Sequence, residues 1–130
     1  MGLNLISEFR MKNIAYLLIG LSILACKNEP KDYVTFSGNI TDQNSDSIVI
    51  RNKEYSKTIA VNKDGSFMDT LKVETGVYSL YTSGESTSIF LKNGYDLQMT
   101  LDTKMFDETV KYTGFGAEQS NFLAEKARLQ

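Results

Sequence analysis

The sequence predicts an all-β domain, an antiparallel sandwich or barrel-like fold of about seven or eight short strands. Three observations predict it: apolar and polar residues alternate with a period of two, short runs are rich in β-branched residues, and turn residues recur every roughly 8–12 positions. With 130 residues, of which 42% are hydrophobic and 23% charged, the chain has the composition of one ordinary globular domain.

The alternation is clearest in residues 34–41, where valine, phenylalanine, glycine and isoleucine alternate with polar residues. The predicted strands are residues 34–41, 47–51, 55–61, 67–71, 77–82, 88–92 and 97–102, with 109–113 as a last edge strand. Residues 77–82 are apolar on both sides, which indicates a central strand. Asp64-Gly65 predicts a hairpin between its two flanking strands, and Asn93-Gly94 predicts another turn.

Residues 114–116 interrupt the pattern, and residues 117–130 have the spacing of a helix. The helical pattern runs to the last residue, so we expect a following domain. The predicted organisation is a signal peptide at 1–25, a tether at 26–33, a β domain at 34–113 and a C-terminal helix at 114–130.

The first residues have the layout of an export signal. From Met11, a lysine precedes an apolar run at 14–24, which is shorter than the about 20 residues that span a bilayer. Ile23-Leu24-Ala25 before Cys26 resembles the lipobox of bacterial lipoproteins, so Cys26 is the predicted lipidation site. Plain cleavage and a buried structural cysteine are the alternatives, and translation could begin at Met1 or at Met11.

Composition excludes several classes of function. A net charge of −2 and the lack of a basic cluster argue against nucleic acid as a partner. The chain has no histidine and one cysteine, which removes the imidazole base, the usual zinc ligands and an internal disulfide. We expect no metal, no cofactor and no catalytic residue in this chain.

Several short motifs, taken in order, resemble the N-terminal β domain of lipoprotein thiol-disulfide reductases related to TlpA and ResA. They are Phe36-Ser37-Gly38-Asn39-Ile40, Asp64-Gly65-Ser66-Phe67, Gly76-Val77-Tyr78-Ser79-Leu80, Phe90-Leu91-Lys92-Asn93-Gly94, and Tyr112-Thr113-Gly114 before Gln119-Ser120-Asn121-Phe122. The resemblance implies a thioredoxin-like domain as a partner. The Cys-x-x-Cys motif that such a domain needs is absent here.

The resulting hypothesis is a non-catalytic spacer and docking module, anchored to a membrane of the bacterial cell envelope on the periplasmic or outer-membrane side. It would raise the effective concentration of a reductase near its substrates. The alternative is a free-standing lipoprotein that binds a glycan or a peptide through exposed tyrosines, with Tyr78, Tyr81, Tyr95 and Tyr112 as candidates.

Three other motifs have less specific interpretations. Asp107-Glu108 is an adjacent acidic pair, which we interpret as part of a solvated turn rather than a catalytic dyad. Asp64 is interpreted as a turn residue and not as a cation ligand. Asn39-Ile40-Thr41 matches a glycosylation sequon but is expected at the end of a strand.

Overall fold

A computed structural model describes residues 31–129, and these residues form two four-stranded sheets around one hydrophobic core. The strands are β1 (Val34–Thr41), β2 (Ser47–Arg51), β3 (Ser56–Ala60), β4 (Ser66–Leu71), β5 (Gly76–Thr82), β6 (Glu85–Leu91), β7 (Asp96–Asp102) and β8 (Lys111–Phe115). A 3₁₀ turn (Thr103–Met105) and helix α1 (Phe106–Thr109) follow β7, and helix α2 (Ala117–Arg128) follows β8. The predicted all-β class, with a helix at its C-terminal end, is confirmed. The predicted signal segment and Cys26 lie outside the described residues.

The chain passes repeatedly between the two sheets. Sheet I has the strand order β4-β1-β7-β8, and sheet II has the order β3-β2-β5-β6. The strand pairs are antiparallel except for β1 and β7, which run parallel in the middle of sheet I. The two strands can run parallel because five strands, four of them in sheet II, lie between them in the chain. Strand β5 lies inside sheet II, as predicted.

The period-two alternation determines which side chains enter the core. In β7, Leu97, Met99 and Leu101 are buried and the residues between them are exposed. In β5, Tyr78 and Leu80 point inward by the same rule. The two inner faces meet in a single cluster that extends through both sheets. Burial of these faces is the main driving force for folding.

The predicted hairpin at Asp64-Gly65 is wrong as a strand pairing, although the turn itself is present. Strands β3 and β4 belong to different sheets, and β4 pairs with β1. Gly65 has φ 88°, and its carbonyl accepts a hydrogen bond from the Ile40 N–H at 2.8 Å. The turn therefore docks on the end of β1 and moves the chain from sheet II to sheet I.

Hairpins do form at residues 52–55, between β2 and β3, and at Ser83-Gly84, between β5 and β6. Ser83 and Gly84 both have positive φ values, 57° and 79°, which is the backbone of a type I′ turn. Asn93-Gly94 forms the predicted turn, but it also joins strands of different sheets. Turn chemistry in this chain therefore predicts where the backbone reverses, and does not predict which strands pair.

The segment around β8 differs from its prediction. Strand β8 ends at Phe115 rather than at residue 113, because Gly114 adopts φ 93° and pairs with Leu97. A side chain at position 114 would overlap the Asp96 carbonyl oxygen, so only glycine fits. The 3₁₀ turn and α1 were not predicted, since one-turn helices have no periodicity to detect. Strand β8 is an edge strand, as predicted.

Helix α2 covers one edge of each sheet. Ser120 is fully buried, and its hydroxyl accepts from the N–H of Phe90 at 2.9 Å and donates to the carbonyl of the same residue at 3.4 Å. The Asn121 side chain makes the equivalent two bonds to Tyr112 of β8, at 2.8 and 2.7 Å. We call Ser120 and Asn121 the edge-binding pair. The pair supplies the hydrogen bonds that a further strand would otherwise make to β6 and β8.

Gly38 on β1 is predicted to be intolerant of any side chain. A Cβ at this position would overlap the Met99 carbonyl oxygen and lie 2.9 Å from the ring of Phe67. We expect Gly38→Ala to lower the free energy of unfolding by about 1–3 kcal/mol or more, measured by urea denaturation. Gly76→Ala is the matched control, because no atom lies within 4 Å of its added Cβ. An equal loss of stability in both variants would contradict the packing argument.

The edge-binding pair makes a residue-specific prediction for hydrogen exchange. We expect Ser120→Ala to accelerate exchange of the Phe90 amide and Asn121→Ala to accelerate that of the Tyr112 amide, each by roughly tenfold or more. Gln119→Ala, at an exposed neighbouring position, should change neither amide. If both variants accelerated both amides equally, α2 would act by general packing and not through these bonds.

Candidate docking surface

The chemically distinctive surface of the described domain lies at one end of the sandwich. We call this the proximal end, because the described chain begins there at Lys31. Val34 lies opposite Leu71, and Asp96 lies opposite Phe115, so β1 and β7 start at this end while β4 and β8 finish there. The other end, which holds the Ser83-Gly84 hairpin turn and α1, is called the distal end.

Three aromatic rings, those of Phe90, Tyr95 and Phe115, form a continuous aromatic cluster at the proximal end. The ring centroids of Phe90 and Tyr95 are 6.2 Å apart, and those of Tyr95 and Phe115 are 5.6 Å apart in an edge-on arrangement. Phe115 is 69% exposed, and the other two rings are half-buried. Val77, which lies directly opposite Phe90 on β5, is 53% exposed. This is an apolar surface that faces solvent in the described domain.

The backbone holds Tyr95 at the centre of the cluster. Its N–H donates to the Lys92 carbonyl at 3.1 Å, and its carbonyl accepts from the Thr35 N–H at 3.0 Å. The ring lies against Gly116, where any side chain would overlap it. Gly116 also has φ 92° and is the N-cap of α2. The same glycine thus starts the helix and leaves space for the ring.

An open groove of about 730 Å³ lies on the sheet II side of the proximal end. Its wall includes Tyr55 and Tyr78, whose rings meet edge-on with centroids 5.5 Å apart. The groove is lined by Asn52, Lys53, Glu54, Tyr55, Lys72, Val73, Glu74, Val77 and Tyr78. Lys72, at the rim of the groove, forms an ion pair with Asp32, with 3.0 Å between the ammonium nitrogen and the carboxylate oxygen. The hydrogen bond that the Lys72 ammonium donates lowers the pKa of Asp32. The volume is in the range of small-molecule and peptide sites, and the rim has charges of both signs.

The two phenols at the groove, those of Tyr55 and Tyr78, differ in their surroundings. The Tyr78 hydroxyl donates to the Glu74 carbonyl at 2.7 Å, which fixes the loop after β4. Burial raises the pKa of Tyr55, with smaller contributions from Tyr78 and Asp69. Tyr55 can therefore offer a ring face and a hydroxyl to a ligand, whereas the Tyr78 hydroxyl already has a partner.

The four tyrosines predicted as a binding face do not form one surface. Tyr78 and Tyr112 are in the core, and burial raises the pKa of Tyr112 far above its ordinary value. Tyr81 lies on the outer face of sheet II with the Arg51 guanidinium over its ring, 4.5 Å from the ring centroid, and this neighbouring cation lowers the pKa of Tyr81. Tyr95 alone of the four belongs to the aromatic cluster.

The other predicted positions have structural surroundings. Asp107 and Glu108 are exposed in the first turn of α1, so the expected solvated turn is a helical turn instead. Asp64 accepts hydrogen bonds from the backbone and hydroxyl of Ser66, which lower its pKa and stabilise the turn. Asn39 lies exposed near the end of β1, as expected.

Among residues 31–129, no group of three or more acidic, histidine or cysteine side chains is arranged to hold a metal ion. No helix in the same range is long and apolar enough to cross a bilayer. Lipidation at Cys26 remains a prediction, because that residue lies outside the described part of the chain.

The sequence did not identify Phe90 and Phe115 as surface residues. Phe90 is preceded by Ile89 and followed by Leu91, so the apolar run conceals which residues point outward. Phe115 lies between two glycines in a segment predicted only as a breaker. An aromatic residue within a glycine-rich turn was the available signal, since such a position has little room to bury a ring.

No family model matches the sequence. No curated protein matches it either. Two solved structures are similar to it, both of DUF3823 family proteins. The protein from Bacteroides ovatus ATCC 8483 is 14% identical, with 52% of this chain and 42% of that chain covered at a TM-score of 0.38. The protein from Parabacteroides merdae ATCC 43184 is 16% identical, with 65% and 47% covered at the same TM-score.

This chain covers less than half of the length of either structure. The similarity is too weak to assign the chain to their family. The predicted kinship with the N-terminal domains of TlpA- and ResA-like reductases is wrong: no family model supports it, and the solved structures that match are DUF3823 proteins and not reductase domains.

Proposed function

We propose that this chain is a lipid-anchored, non-catalytic docking module of a bacterial cell envelope. One observation carries the proposal: strand β1 begins at Val34, only a short tether beyond the lipobox-like Ile23-Leu24-Ala25-Cys26. A lipid on Cys26 would place the sandwich directly at a membrane. The groove would then be held at a short distance from the bilayer, where a partner meets it at high effective concentration.

The surroundings of the acidic residues favour a non-catalytic role. Asp64 and Asp102 both use their carboxylates to accept backbone hydrogen bonds, from Ser66 at 3.0 Å and from Lys104 at 3.0 Å. Asp42, Asp69 and Asp32 each face a lysine. The carboxylates of Asp64 and Asp102 thus stabilise turns, and the other three form ion pairs with lysines within the domain.

Binding of a peptide or a glycan in the groove is the second candidate function. The half-buried ring of Tyr55 and the exposed Val77 favour it, because a ligand there would contact apolar surface and find charged groups at the rim. A peptide fits this mixed lining better than a glycan, since sugar sites generally use broader aromatic platforms.

Cys26→Ser tests the anchor. We expect the unaltered chain, expressed in a bacterium with lipoprotein processing, to be recovered in the membrane fraction with a lipid mass on Cys26. The serine variant should carry no lipid mass, because an oxygen cannot form the thioether to the lipid, although its uncleaved apolar signal segment can still hold it at the membrane. Lys27→Gln is the matched control and should remain in the membrane fraction. An unaltered chain recovered from the membrane fraction without a lipid mass on Cys26 would contradict lipidation.

A further inference from the structure

We propose that the aromatic cluster lies on the surface of the bilayer, so that the proximal end of the sandwich sits in the lipid headgroup region. This inference rests on the proposed function, because it takes Cys26 to be held at a membrane. It adds an orientation and a second contact. The lipid would be one attachment, and Phe115 with its neighbours would be the other.

The length of the tether carries the first step of the argument. Residue 31, where the described domain begins, is five residues beyond Cys26, and an extended chain spans at most about 3.6 Å per residue. The proximal end therefore lies within about 18 Å of an acylated Cys26. The eight-residue strand β1, which runs from the proximal to the distal end, is longer than this distance. Even a fully extended tether is therefore too short for the distal end to be the part of the domain nearest the bilayer.

The aromatic side chains carry the second step. Phe115 is 69% exposed and adjoins Tyr95, which has an apolar ring and a polar hydroxyl. Aromatic side chains of this kind prefer the boundary between headgroups and acyl chains. The ring of Tyr33, at the start of the domain, is also half-buried and has the Lys31 ammonium 6.0 Å from its centroid. Aromatic residues thus mark the end from which the tether emerges.

The charges near the cluster are compatible with lipid headgroups. Lys31 and Lys92 are exposed at this end, and Lys92 is in the same turn as Tyr95. Their ammonium groups can reach lipid phosphates while their stems lie along the apolar surface. Asp96, opposite Phe115, is a carboxylate at the margin of the cluster. The distal turns also carry charges of both signs, with Lys63 next to Asp64 and Lys104 paired with Asp42, so the aromatic rings and not the charges distinguish the proximal end.

The chain has no tryptophan and one cysteine, which allows a direct test. Phe115→Trp places a single fluorophore in the cluster, and Met105→Trp, at a residue 52% exposed near α1, is the matched control at the distal end. Each full-length protein is coupled through Cys26 to a maleimide-headgroup lipid in phosphatidylcholine vesicles. Coupling holds residue 26 at the bilayer whether or not a cell lipidates it. Vesicles with brominated acyl chains then report the depth of each fluorophore.

We expect brominated lipid to reduce the emission of the Phe115→Trp protein by about twofold or more, as for a ring buried ~5–10 Å into the interface, and to leave the Met105→Trp protein nearly unchanged. Acrylamide should show the opposite order of quenching. If acrylamide quenches both proteins equally and brominated lipid quenches neither, the cluster is in water and the inference fails. If the tryptophan at position 115 is protected from both quenchers, and this protection increases with the density of protein on the vesicle, the cluster contacts a second copy of the protein. That result also overturns the inference.

The two proposals fail separately. Loss of lipid quenching in the coupled Phe115→Trp protein refutes only the orientation at the membrane. Absence of a lipid mass on Cys26 in the protein from cells refutes only the natural anchor, since the chemical coupling does not depend on cellular processing.

Discussion

The sandwich depends on how α2 satisfies the edges of two sheets at once. Adjacent helical residues point about 100° apart, so Ser120 can bind β6 while Asn121 binds β8. The buried Ala117 and Ala124 are small enough to let the helix approach both strands closely. Without α2, both edges would expose backbone donors and acceptors that invite pairing with other chains. On the opposite side, residues 31–129 supply no such helix. There Lys57 of β3 and Asp69 of β4 form a 3.6 Å ion pair between the two sheets.

The strands could be predicted because each has one buried face, and a buried face imposes a period of two on the sequence. Their pairing could not, because pairing depends on contacts between distant segments. Asp64-Gly65 has the strongest local hairpin signal, yet its turn crosses between sheets and packs on β1. Ser83-Gly84 and the polar turn at residues 52–55 have weaker signals, yet each closes a hairpin between paired strands. The parallel pairing of β1 with β7 is likewise a property of the whole topology.

The candidate site was less predictable than the fold. Alternation places Tyr78 on the same face as Leu80, so its burial could have been inferred from parity, and Tyr112 is opposite the buried Met99. The aromatic cluster could not, because Phe90, Tyr95 and Phe115 come from two strands and a turn that only the folded chain brings together. A local sequence pattern predicts on which face of a strand a side chain lies. It does not predict which side chains from other strands and turns will contact it.

The same limit explains why the motifs suggested the wrong family. Gly38 is required where β1 packs against the Met99 carbonyl and Phe67, and Gly65 is required where the turn meets Ile40. Any sandwich with these close approaches needs glycine there, whatever its ancestry or function. By contrast, the packing of the core does not require an apolar residue at position 115. Phe115 is mostly exposed, so a polar side chain there would leave the core intact. What sets Phe115 apart from other exposed apolar side chains, such as Met68, is its place in an aromatic cluster at the proximal end, where the tether would bring a bilayer.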